Sequence, residues 1–95
     1  MEGIASIESR PGQLSLAIDR VKNNQTLARE VEDGFSAIRG IHRVEADSNL
    51  GTVSIDYDQR ELTSLRFLLK LKETFSSLFP EISATKLAAW LSRTL

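Results

Sequence analysis

Apolar and polar residues alternate from Gln13 to Asp19, with Leu14, Leu16 and Ile18 on one side and Gln13, Ser15, Ala17 and Asp19 on the other. That period of two predicts a strand with one face buried. The alternation returns between Gly40 and Asp58, where Ile41, Val44 and Ala46 are separated from Val53, Ile55 and Tyr57 by Asp47-Ser48-Asn49-Leu50-Gly51. Asn49 and Gly51 tolerate positive φ, so this stretch predicts a β-hairpin with a loop of about 4–5 residues. Between the two alternating stretches the period changes. Leu27, Val31, Phe35 and Ile38 form the stripe of an amphipathic helix, with Asn24 or Thr26 as its cap and Gly40 as its stop. After the hairpin, Asp58-Gln59-Arg60-Glu61 reads as a capping box. It opens a helix over residues 60–77 in which Leu65, Leu68, Leu69 and Phe75 share one face, and Phe67 and Leu71 lie beside it on another. A helix this apolar needs more than one sheet to cover it. Phe79-Pro80 ends it, and Ser83 caps a last helix over residues 83–95 carrying Leu87, Trp90, Leu91 and Leu95, the expected cover for the second face. Residues 1–10 are weakly patterned and read as a flexible lead-in or an extension of the first strand, with Pro11-Gly12 as a break.

The order strand, helix, strand, strand, helix, helix predicts an α+β fold: a ferredoxin-like βαββα sandwich with an added C-terminal helix, in a single domain over residues 1–95. Residues 13–19 and 52–58 pair in the centre, residues 41–47 lie outside the latter, and the helices share one face. The expected core is Leu14, Leu16, Ile18, Leu27, Val31, Phe35, Ile38, Val44, Val53, Ile55, Leu65, Leu68 and Leu69. No strand pattern follows residue 78, so Gln13–Asp19 is expected at a bare sheet edge, where unpaired amides invite another strand. The candidate interaction residues are therefore Gln13, Ser15 and Ala17 together with Leu87, Trp90 and Leu91. They would serve a homodimer or a docked partner.

Composition narrows the chemistry. The 95 residues suit one domain. A net charge of −1 builds in no global attraction to nucleic acid or anionic membrane. The absence of cysteine removes disulfides, thiolate ligands and thiol nucleophiles together. No apolar run approaches the roughly 20 residues of a membrane-spanning helix, and residues 1–11 lack the apolar core of a signal peptide. The chain reads as cytoplasmic.

Three passages carry a family resemblance. Arg10-Pro11-Gly12-Gln13-Leu14-Ser15-Leu16, then Phe35 to Ala46 through Gly40-Ile41, and Asn49-Leu50-Gly51-Thr52-Val53-Ser54-Ile55-Asp56-Tyr57-Asp58 resemble the heavy-metal-associated (HMA) domain, in the branch that lacks the metal motif. The likeness covers residues 10–75. Gln13 and Ser15 depart from the arginines frequent in that branch, and a C-terminal helix stands in place of a fourth strand. Metal-carrying members hold soft ions with two cysteines in the loop after the first strand. The corresponding residues here, Arg20-Val21-Lys22-Asn23-Asn24-Gln25-Thr26, offer no thiol, imidazole or carboxylate. The resemblance implies a cofactor-free interaction or regulatory module that docks a protein partner, attached to or acting beside a membrane metal transporter or metal-handling assembly.

Two alternatives stand beside it. Glu45, Asp47 and Asp56 on the hairpin, with His42, the chain's single histidine, would make a hard-cation site suited to ferrous iron. A small-ligand regulatory domain of the ACT type shares the topology. His42, on the strand parity of Val44 and Ala46, is otherwise expected to be partly buried. Enzyme and nucleic-acid readings find little. One histidine in a strand supports no Ser-His-Asp set, the loop after the first strand has no phosphate-cradling glycine, and the central strands lack the aromatics that stack RNA bases.

Overall fold

The computed structural model describes residues 4–80, and the expected helix over residues 83–95, with Leu87, Trp90 and Leu91, lies outside them. Strands β1 (Ile4–Arg10) and β2 (Gln13–Ile18) precede helix α1 (Gln25–Ser36). Strands β3 (Ile41–Asp47) and β4 (Thr52–Tyr57) then lead to helix α2 (Leu65–Leu78). The sheet order is β1-β2-β4-β3, antiparallel throughout. From β2 onward this is the ferredoxin-like α+β arrangement: β2 and β4 pair in the centre, β3 lies outside β4, and both helices pack on one face.

The outer partner of β2 comes from the N-terminus, which corrects two expectations. Residues 4–10 are neither lead-in nor extension but a strand of their own, paired from Ile4 opposite Ile18 to Arg10 opposite Gln13. β2 is therefore central and its edge is not bare. The turn between them explains the pairing. Proline holds φ near −65°, and Gly12 has φ +78°, the pattern of a two-residue type II turn. What reads locally as a break is the tip of a hairpin. β1 and β3 become the sheet edges. β1 carries Glu8, Arg10 and the following Pro11, groups that discourage edge-to-edge pairing. On β3, the Ala46 amide donates to the Glu32 carboxylate of α1 at 3.1 Å.

The core lies between sheet and helices. Leu14, Leu16 and Ile18 of β2 meet Val53 and Ile55 of β4 there, with Val31 and Phe35 of α1. Asn24 caps α1, its side chain accepting from the Leu27 amide at 3.0 Å, a contact typically contributing about 1 kcal/mol. The helix ends at Ser36, before Gly40, because a tighter turn closes it: the Ile38 amide donates to the Phe35 carbonyl at 3.1 Å. Ile38 nevertheless stays buried.

The second helix departs most from expectation. Asp58 does cap, but it caps a short 3₁₀ turn over Gln59–Thr63. Ser64 then adopts an extended conformation, and its hydroxyl accepts from the Phe67 amide to start α2. The inward face is Phe67, Leu71 and Phe75, at a spacing of four. Leu65 and Leu69, expected in the core, are 71% and 48% exposed, and Leu68 is half-buried. Aromatic packing supplies the reason. Phe75 meets Phe35 edge-on with ring centres 4.7 Å apart, and Phe67 lies 6.2 Å from Tyr57. Large rings filling the gap between helix and sheet bury more apolar surface than the leucines would.

Candidate interaction surface

The face of the sheet away from the helices has nothing over it among the described residues. The register orders its side chains into three rows. Arg10, Gln13, Asp56 and Arg43 form the first, Glu8, Ser15, Ser54 and Glu45 the second, and Ser6, Ala17, Thr52 and Asp47 the third. In the second and third rows the two central strands thus present small side chains, while in the first row β4 presents Asp56; the other charges stand on the outer strands. Ser15, Ala17, Thr52 and Ser54 surround a shallow depression of about 260 Å³, with Ser6 and Glu8 at one side. A surface with small groups at its centre lets another backbone or a flat side-chain layer approach closely, while peripheral charges set orientation.

Gln13, Ser15 and Ala17 lie on this face, so they offer side chains to a partner and not, as their expected edge position implied, unpaired backbone. Glu8, Thr52 and Ser54 complete the surface. Glu8 escaped sequence reading because its strand has a weak pattern; the Pro-Gly pair directly before an alternating stretch was the signal of a hairpin turn that could have revealed it.

The proposed hard-cation ligands are not brought together. The Glu45 carboxylate pairs with Arg43. Asp47 is engaged in the hairpin loop, its Oδ1 accepting from the amides of Asn49 at 2.8 Å and Leu50 at 3.2 Å. Asp56 sits between Gln13 and Arg43 in the register. His42 is the extra residue of a bulge between Ile41 and Arg43, and that irregularity turns it out to solvent instead of leaving it partly buried. Among the described residues, no three His, Asp or Glu side chains are placed to hold one metal ion.

The loop between β2 and α1 is used structurally. Val21 is fully buried, Asn24 caps α1, and the Asn23 amide donates to the Ser48 carbonyl at 2.6 Å. The Ile18 amide donates to the Gly51 carbonyl at 2.7 Å. These bonds brace the loop on the β3–β4 turn.

Tyr57, Asp58 and Arg60, at the opposite end of the sheet, have shifted acidities. Burial pushes the Tyr57 phenol up, against an opposing hydrogen bond with Ser9, so it stays protonated at neutral pH. Arg60 holds the Asp58 carboxyl below its ordinary value, through hydrogen bonds from its side chain and its amide. The guanidinium donates at 3.1 and 2.9 Å. A depressed carboxyl contributes stability above its unfolded-state pKa and loses it as pH falls through the lower folded value, in the range below about pH 4. Arg60→Gln is expected to move the Asp58 titration, followed by carboxyl-carbon NMR, upward toward the ordinary value. An unmoved titration would show that the guanidinium has no part in the shift.

Comparison with protein-family models, curated proteins and solved structures gives no match to this chain. Among the described residues no helix is long and apolar enough to cross a membrane.

Proposed function

We propose that this chain is an HMA-like protein-interaction module that has kept the docking use of the fold without the soft-metal loop, and that it works beside a metal transporter or metal-handling assembly. The metal-handling context rests on the three sequence passages that resemble the family. The docking role rests on the sheet face, where Ser15, Ala17, Thr52 and Ser54 on the two central strands stand among charges carried by the outer strands and by Asp56. Its acidic members, Glu8, Glu45, Asp47 and Asp56, outnumber Arg10 and Arg43, so the complementary partner presents a flat protein surface with a basic rim.

A photo-crosslinking residue at Ser15, compared with one at exposed Arg29 on α1, tests this in the cells that make the protein. The expected result is a discrete protein adduct from position 15, absent from position 29 and lost when Ser54→Arg fills the face. Equal labelling from both positions, or no adduct from position 15, overturns the proposal.

A further inference from the structure

A second concave surface differs in chemistry from the sheet face. It lies between the end of α1 and the first turns of α2, with a volume of about 520 Å³, within the usual range for small-ligand sites. Ala37, Ile38 and Phe67 supply apolar wall, and Arg39, Arg66 and Lys70 also line it. Lys70 stands 3.8 Å from Glu73, so part of its charge is already answered. Glu61 and Glu73 line the groove too, leaving one net positive charge. Arg39 and Arg66 make no salt bridge or hydrogen bond among the described residues.

Guanidinium groups are planar, weakly hydrated and matched to the two oxygens of a carboxylate. An apolar wall by itself would accept any hydrophobic body. Two arginines without partners among the described residues, beside that wall, select an anion that also carries an apolar body. We propose that this groove binds a small organic carboxylate with an apolar body, its carboxylate toward Arg39 and Arg66 and its body against Ile38 and Phe67. The site is separate from the sheet face and does not depend on the docking role.

Naphthalene-2-carboxylate is a suitable probe, with the neutral naphthalene-2-carboxamide as its match in shape. In an amide NMR titration of the full chain at low salt, saturable shifts are expected at Ala37, Ile38 and Phe67. The carboxylate is expected to bind about fivefold more tightly than the carboxamide, the scale of a solvent-accessible ion pair. In the Arg39→Gln/Arg66→Gln double variant the preference should vanish while carboxamide binding persists. Both arginines are exposed, so the variant should keep a dispersed spectrum; if it does not, the same comparison is read from each single substitution. Equal binding of the two probes to the unaltered protein overturns the proposal. So do shifts centred away from these residues, no saturable shift, or an undiminished preference in the variants.

Discussion

Phe35→Ala is expected to destabilise the fold by about 3–5 kcal/mol, the usual range for removing a fully buried aromatic ring. Small domains have total stabilities of roughly 5–15 kcal/mol, so this one change removes a large share. Phe35 has no exposed surface. It also joins both helices, since its ring meets Phe75 edge-on at 4.7 Å. Alanine loses the transfer energy of the ring and leaves a cavity that α1 cannot close by shifting, because α1 is held at its start by the Asn24 cap and laterally by the bond from the Ala46 amide to Glu32. Urea unfolding followed by far-ultraviolet circular dichroism measures the change. A loss below about 1 kcal/mol would mean that the ring is not part of a close-packed core.

Gly40→Ala is expected to cost about 1–3 kcal/mol, the scale of a residue held in a sparsely populated backbone conformation. Gly40 has φ +101°, which disfavours any residue with a Cβ. Space is short as well: an added Cβ would sit 2.8 Å from Glu61 Cγ and 3.2 Å from Phe67 Cδ1. The backbone has little freedom to move away, because the Gly40 carbonyl accepts from the Asp58 amide at 2.8 Å. That bond ties the start of β3 to the end of β4. Adding Glu61→Ala removes the closest contact and should recover only part of the loss, the remainder being conformational. Full recovery in the double variant would show that crowding alone is responsible, and an unchanged unfolding midpoint in Gly40→Ala would refute both causes.

The elements that could be read from sequence are those whose signal is local. In Gln13–Ile18 and in β4, strict alternation assigns each side chain to a face, and a strand with one buried face leaves no other register open to it. Strand β3 follows the same rule only beyond the His42 bulge. The stripe of Leu27, Val31 and Phe35 does the same for α1. Those patterns also sufficed for the strand order around β2 and β4, since a split βαβ unit with a hairpin has few ways to fold.

Other features were settled only where distant parts of the chain meet. Ile4–Arg10 has Ile4, Ile7 and Ser9 as its inward positions, too weak a pattern to declare a strand until it pairs with β2 across the Pro11-Gly12 turn. That pairing moved Gln13, Ser15 and Ala17 from an edge to the middle of an open face and added Glu8 to it. α2 is apolar on several sides, so periodicity alone could not choose which side turns inward. The choice fell to Phe67 and Phe75 because Tyr57 and Phe35 stand opposite them, and Leu65 and Leu69 were left outside. The groove beside α2 depends on the same rotation, which sets Arg66 and Lys70 alongside Arg39, residues whose spacing in the chain suggests no common site. The sequence by itself determined which face each regular strand and the first helix would bury, because that information lies within a few neighbouring residues. Only the tertiary structure decided the partner of β2 and the orientation of α2, because both depend on shape complementarity between segments far apart in the chain.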